Sequence, residues 1–229
     1  MKGTVQRARF LGGWVAMVVG AALVIGGMLP GGARAEDLAM APLPRPELLD
    51  RALAAYYRVE RAGLRRTTIL SVIDYSLPSS ERRLWVFDLA QPLRLLFHEY
   101  VAHGRGSTTD DDPDRAFRFG NTEASLQSSL GTFLTGATYE GQHGRSLELY
   151  GLEPGVNDNA FLRRIVIHPA DYMSAAFRAQ HGRVGRSFGC PALDPAIAAA
   201  VIDRIRDGSV IYVGGGAPTQ FADATASAR

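Results

Sequence analysis

Cys190 is the only cysteine in the chain, and it lies behind an amino-terminal segment that reads as an export signal. Lys2, Arg7 and Arg9 flank an apolar run from Phe10 to Leu29, which Pro30 and the triplet Ala33-Arg34-Ala35 close. A positive flank, an apolar stretch and a small-residue cleavage site, in that order, predict a secretory signal over residues 1–35, cut after Ala35. The alternative is an uncleaved anchor, because about twenty apolar residues just span a bilayer. Either way the remainder is expected outside the cytoplasm, in the periplasm or cell envelope. A chain exported with one thiol has no intrachain disulfide to hold its fold. Its stability has to come from a buried apolar core, and the roughly 190 residues after the signal suffice for one domain.

The net charge of +2 is carried by the leader. Lys2, Arg7, Arg9 and Arg34 exceed that whole excess, so the expected mature chain is slightly acidic and has no basic stripe of the kind nucleic-acid binders carry. Lys2 is also the only lysine. Lysine Schiff-base chemistry and a Ser-Lys dyad are therefore excluded from the mature protein.

Residues 36–46 are a proline-rich spacer. A helix then starts at Pro46, with Leu49, Leu53, Tyr56 and Val59 at helical spacing, and stops at Gly63. The runs "TTILSVIDYSL", "RRLWVFDLA" and "LRLLFHEYVAHG" are β-branched and aromatic, are broken by "PSSE" and Gln91-Pro92, and read as an antiparallel meander. Residues 104–115 form a polar loop. Its acids, Asp110, Asp111, Asp112 and Asp114, lack the alternating ligands, glycine and terminal glutamate of a calcium loop. "SSLGTFLTGATYEG" and "RSLELYGLE" predict two strands around a turn at His143-Gly144. A short strand, Ile165 to Ile167, runs out into His168. Asp194 and Pro195 start a second helix with an Ile197, Val201, Ile202, Ile205 stripe, ended by Gly208, and "SVIYVGG" supplies a last strand. Residues 214–229 lack periodicity and predict a disordered tail. The fold class is mainly β with a few helices, in one domain over residues 47–213.

His168 then falls at the mouth of a strand and Cys190 in a loop ahead of a helix. Rigid elements that release into loops are where catalytic groups are held. A thiol needs a base or a positive surrounding to become a thiolate. A histidine supplies the first, and the amino end of the following helix is a candidate for the second. Gly189, lacking a side chain, lets a substrate carbonyl approach backbone N–H groups as an oxyanion site requires. Cys190 read as a buried small hydrophobe remains the alternative.

Residues 185–189, Gly-Arg-Ser-Phe-Gly, also match the serine nucleophile elbow. That motif needs a preceding buried strand, an immediate helix and a later histidine; here Pro191 follows and no histidine comes after His181. Five histidines and one cysteine contain no short metal-binding spacing, so a zinc site would need ligands gathered from across the fold.

"IVIHPADYM" followed by "GRVGRSFGCPAL" resembles the histidine and S-x-G-C elements of the YkuD-type murein L,D-transpeptidase catalytic domains. The likeness is to the branch with Trp or Phe before Gly-Cys and Pro-Ala after it. It continues through "VIDYSLPSSERRLWVFDL", "YVAHGRGS", "SSLGTFLTG", "HGRSLELYGLEPGVNDNA" and "GSVIYV", about residues 48 to 213. The resemblance implies a largely β, sandwich-type catalytic domain and a cysteine acyltransferase acting on peptidoglycan stem peptides without a cofactor. It makes Cys190 the nucleophile, His168 the base, and the Gly189 and Cys190 N–H groups the oxyanion donors. The attacked carbonyl is that of the third stem residue, with release of terminal D-alanine. An amine of a second stem, a free D-amino acid or water then resolves the thioester, giving a crosslink, an exchanged residue or a trimmed tripeptide. A carbapenem is expected to acylate such a thiol.

Departures from the family pattern are Phe188, where histidine is usual, Ala192, where a polar residue is usual, and Pro169, where glycine is common. They put the acceptor and crosslinking in doubt. Arg183, Arg186, Ser187, His143 and Tyr172 are candidate substrate-binding residues: the arginines for binding a carboxylate or lowering the thiol pKa, His143 for the donor site, Ser187 for orienting the loop, Tyr172 for packing beneath His168. Surface ion pairs for the arginines and a solvated turn for His143 are the plainer readings, and His103 is expected to make a structural hydrogen bond. A wall-binding protein that kept the fold without turnover is the alternative from a different class.

Overall fold

The computed structural model describes residues 41–90 and 94–216. The expected signal over 1–35, the first part of the expected spacer, Gln91-Pro92 and most of the expected tail lie outside them. Among the described residues no helix is long and apolar enough to cross a membrane.

Helix α1 spans Pro46–Arg61 with proline in its first turn, where the missing N–H costs nothing. Its buried face is Leu48, Ala52, Ala55, Tyr56 and Val59, so Leu49 and Leu53 of the expected stripe lie at its edge, only partly buried. The spacer reaches the core as well: Pro44 is buried, and the Pro42 carbonyl accepts the Trp85 indole N–H at 2.7 Å.

Strands β1 (Ile69–Asp74), β2 (Leu84–Asp88) and β3 (Arg94–Glu99) form the expected meander. Strands β4 (Gly131–Gly141) and β5 (Gly144–Gly151) form a hairpin, and β6 (Val166–Pro169) pairs antiparallel with β5. The last strand, β8 (Val210–Gly214), does not extend an edge. It lies parallel to β1 on one side and antiparallel to β4 on the other, joining meander to hairpin. With β7 (Ala192–Leu193) the sheet runs β3-β2-β1-β8-β4-β5-β6-β7.

The central strands are buried on both faces, and their side chains alternate between two cores as the pleat requires. Leu70, Val72, Trp85, Phe87, Val210 and Tyr212 pack under α1. Ile69, Ile73, Leu84, Val86, Ile211 and Val213 face the opposite side, where helix α3 (Pro195–Ile205) lays down Ile197, Val201, Ile202 and Ile205. Asp194 caps α3 by accepting the Ala196 N–H at 3.0 Å.

Helix α2 (Ala175–His181) was not expected from periodicity, since none of its residues is buried. Its ends are nonetheless written in the chain: Ser174 accepts the Phe177 N–H, and Gly182 takes the left-handed conformation after the last turn, with φ 69°. Met173, Val184, Ala102 and Ala192 form a third small core under the segment that leads to Cys190.

Candidate active site

Strand pairing brings His168 and Cys190 to one end of the sheet. β6 and β7 run parallel with His168 opposite Ala192, so a residue two positions before Ala192 lies alongside the start of β6. His168 belongs to that strand rather than following it. Both residues line one cavity of about 700 Å³, together with His143, Tyr172, Arg163 and Phe188.

The loop carrying Cys190 is braced from several directions. The Ser187 N–H donates to the His103 carbonyl at 3.0 Å, and the Arg105 N–H donates to the Ser187 carbonyl at 2.8 Å. The Ser187 hydroxyl donates to the Cys190 carbonyl at 2.6 Å and accepts the Gly189 N–H at 3.1 Å. Ser128 Oγ accepts the Gly104 N–H and donates to the Gly189 carbonyl. Ser187 is thus a loop-orienting residue with a buried, engaged hydroxyl, which leaves the serine-elbow reading without a free nucleophile.

The expected oxyanion role of Gly189 has to be amended, because its N–H is taken by Ser187. What requires glycine here is conformation and space. Its φ is 122°, and a Cβ would come within 2.8 Å of the Gln127 carbonyl oxygen.

His168 is buried, with 4% of its surface exposed. Nδ1 and the Pro169 carbonyl are 2.8 Å apart, which assigns the ring proton to Nδ1 and leaves Nε2 as the basic nitrogen. The expected turn histidine, His143, stacks on His168 with ring centroids 4.6 Å apart. Burial lowers the His168 pKa from its ordinary value, the Pro169 hydrogen bond opposes that, and His143 lowers it further. At neutral pH the imidazole is therefore neutral, the form in which it accepts a proton.

The Cys190 sulfur lies against the main chain before β6, 3.6 Å from the Arg164 carbonyl oxygen. Arg164 itself is left-handed, with φ 55°. Burial raises the thiol pKa, while the Val166 N–H and the Arg163 guanidinium lower it. Helix α3 does not follow Cys190 directly: β7 intervenes, and the Asp194 carboxylate accepts the Ala196 N–H at the helix start.

Arg163 is the residue that sequence reading passed over. Its guanidinium donates to the carbonyls of Gly120 and Gln127 and to Ser129 Oγ at 2.6–2.8 Å, with Ser125 Oγ at 3.3 Å. No carboxylate neutralises it among the described residues. A fixed cation beside the sulfur favours the thiolate. Its only signal was the Arg163-Arg164 doublet just before the strand that delivers His168.

Other expected residues divide. Arg186 lines the cavity and donates to Thr108 Oγ1 at 2.9 Å. Tyr172 lines it too, pressed against Gly185, where a Cβ would meet its ring. Arg183 lines an adjoining groove instead. His103 does make the structural bond: Nδ1 is 2.6 Å from Arg83 Nη2, both side chains fully buried. Among the described residues no group of three or more His, Cys, Asp or Glu is placed to hold a metal ion. Of the loop acids, Asp114 has a structural task, accepting from the Ser79 and Ser80 hydroxyls.

The family model YkuD_2, L,D-transpeptidase catalytic domain, matches residues 42–213. Among solved structures the chain is similar to an L,D-transpeptidase from Mycobacterium smegmatis, at 16% identity over 64% of this chain and 58% of that one, TM-score 0.38. It is also similar to the helical cell shape determining protein Pgp2 from Campylobacter jejuni, at 12% identity over 65% and 47%, TM-score 0.41. L,D-transpeptidase 1 of Mycobacterium tuberculosis gives 14% identity over 66% and 63%, TM-score 0.35. The chain covers less than two thirds of each of these. No curated protein matches it.

Proposed function

The chain belongs to the L,D-transpeptidase catalytic-domain family, and from that premise we propose that it is a cysteine acyltransferase acting on peptidoglycan stem peptides in the cell envelope. Cys190 is the nucleophile and His168 its base. The observation that carries this reading is the shared cavity lined by both a thiol and a buried imidazole, the latter anchored through Nδ1.

The reaction runs in two halves. His168 Nε2 takes the Sγ proton as sulfur attacks the carbonyl of the third stem residue. The Cys190 N–H stabilises the oxyanion, the Gly189 N–H being engaged. His168 then protonates the departing amine of D-alanine, leaving a thioester. Arg163 holds down the energy of the thiolate on the way in. An amine or water resolves the thioester, with His168 accepting its proton and returning it to sulfur. Crosslinking, D-amino-acid exchange and trimming to a tripeptide differ only in that second nucleophile.

Intact mass after incubation with a disaccharide-tetrapeptide or a carbapenem tests this reading, alongside muropeptide analysis. A single acyl adduct that disappears in Cys190→Ala is expected. Unmodified protein together with unchanged muropeptides would leave a wall-binding protein of the same fold. His168→Ala is expected to slow adduct formation by about 10²- to 10⁴-fold, the usual worth of a general base.

A further inference from the structure

A second groove, of about 300 Å³, adjoins the main cavity. Tyr172, Arg186 and Phe188 line both spaces, so the two share a wall. The groove is assembled from segments far apart in the chain: Arg105 from the turn after β3, Phe177 from α2, and Arg183, Arg186 and Phe188 from the loop that ends in Cys190.

Its charge is uncompensated. The Arg105 guanidinium lies over the Phe188 ring, 4.7 Å from its centroid. Arg183 donates to the Val184 carbonyl at 2.8 Å, and Arg186 to Thr108 Oγ1 at 2.9 Å. None of the three pairs with a carboxylate among the described residues, whereas Arg45, Arg178 and Arg204 each find an aspartate. A guanidinium has five N–H donors, so one neutral acceptor for Arg183 and one for Arg186 leave most of this set unused. Three cations around one concavity create a positive potential that an anion relieves, and the guanidinium fork fits a carboxylate with two parallel bonds. Phe188, 64% exposed, covers one side with an apolar face.

We propose that this groove is the acceptor subsite, and that it reads the carboxylate of an α-amino acid whose amine resolves the thioester on Cys190. The inference rests on the acyl-transfer reading above and deepens it. A free D-amino acid and the D-centre of a stem diamino acid share one chemistry: the attacking amine sits on the carbon that bears the carboxylate. Holding that carboxylate among Arg105, Arg183 and Arg186 places the amine toward the shared wall and the thioester. The amine nitrogen then forms a C–N bond as the C–S bond breaks. Its proton passes to His168 and on to the sulfur, restoring thiol and neutral imidazole. Water has no carboxylate to be held by, so occupancy of the groove sets the balance between amine transfer and hydrolysis.

The test compares D-methionine with D-methioninamide, and separately a disaccharide-tripeptide, as acceptors for the full-length protein with disaccharide-tetrapeptide as donor. D-methionine is expected to be used at least about tenfold better than its amide, the scale of a lost charge-assisted bond. Arg105→Gln and Arg183→Gln are each expected to raise the D-methionine KM about tenfold and divert product to hydrolysis, while the thioester still forms. Equal use of acid and amide, or an unchanged KM in both variants, overturns the proposal. The tripeptide arm tells which carboxylate source is read: dependence on the same arginines in one arm alone assigns the groove to that source. Saturation-transfer NMR of D-methionine on Cys190→Ala decides without turnover. A signal lost in the arginine variants supports the subsite, and an absent or unaltered signal overturns it. Absence of any thioester in the wild type counts against the acyl-transfer function instead, which separates the two failures.

Discussion

Cys190 rests as a neutral thiol, because burial outweighs the Val166 N–H and Arg163 that favour its thiolate. His168 rests as a neutral imidazole, because burial and His143 outweigh the Pro169 bond. In the proposed mechanism two groups that both rest neutral transfer the proton during attack rather than standing as a preformed ion pair. Alkylation by iodoacetamide is therefore expected to climb with pH through an apparent pKa higher than that of an unperturbed thiol, with no plateau near neutrality. Arg163→Met removes a cation that lowers the thiol pKa, so that profile moves further to alkaline pH; an unmoved profile would deny Arg163 its role. Ser187 belongs at the same scale. Ser187→Ala deletes a bond to the Cys190 carbonyl and orphans the Gly189 N–H, which costs about 1–3 kcal/mol of stability. Thermal unfolding checks that loss, and continued acylation of Cys190 in the variant separates it from a serine nucleophile.

Among elements, the contact that matters most is between the turn after β3 and the Cys190 loop. Gly104 bridges to Ser187, and a Cβ on Gly104 would overlap the Leu126 carbonyl oxygen and come within 2.9 Å of Gly189 Cα. Both obstacles are backbone, which cannot swing aside as a side chain does. Gly104→Ala is accordingly expected to push the loop away from β6, lowering the acylation rate more than tenfold and the Tm by several degrees. An acylation rate like the wild type's would show that the loop does not depend on this approach. These long-range contacts were hidden from sequence reading: "YVAHGRGS" carries no periodicity, and nothing local says that its glycine faces another glycine. Helix α2 was hidden for a different reason, having caps but no buried face. The β4–β5 hairpin and α3 were legible because their apolar spacing and turn residues agree.

Across the molecule, β8 is the strand on which the sheet depends, since it alone joins meander to hairpin. Ile211 is buried between them and packs in the core that α3 covers. Ile211→Ala is expected to destabilise the whole domain by about 2–5 kcal/mol, read as one cooperative shift in denaturant midpoint; separate transitions for the two halves would contradict the topology. Acid sensitivity is likewise global. Arg83 donates to the Val101 and Leu77 carbonyls and to His103 Nδ1, while His103 Nε2 has no partner. Burial and the Arg83 charge hold the His103 pKa down to about 3, below the ordinary 6.5. Between those values the unfolded chain binds the proton that the folded one refuses, so stability is lost as pH falls from about 6.5 toward 3. His103→Asn keeps an acceptor for Arg83 without the titration. Its Tm is expected to fall less between pH 7 and pH 4 than the wild type's, and equal falls would assign the acid loss elsewhere.

By itself the amino-acid order determined what is local and periodic: the amphipathic and capped helices, the alternating strands, and the Gly-Cys and strand-histidine motifs that point to a thiol and its base. Short-range spacing carries that information because side-chain direction follows backbone period. Tertiary structure alone decided that the last strand enters the middle of the sheet, that Ser187 rather than an oxyanion takes the Gly189 N–H, and that Arg163 stands beside the sulfur. It also gathered Arg105, Arg183 and Arg186 around one groove. Such neighbours are separated by tens of residues and selected by packing and hydrogen-bond satisfaction, which no window of sequence contains.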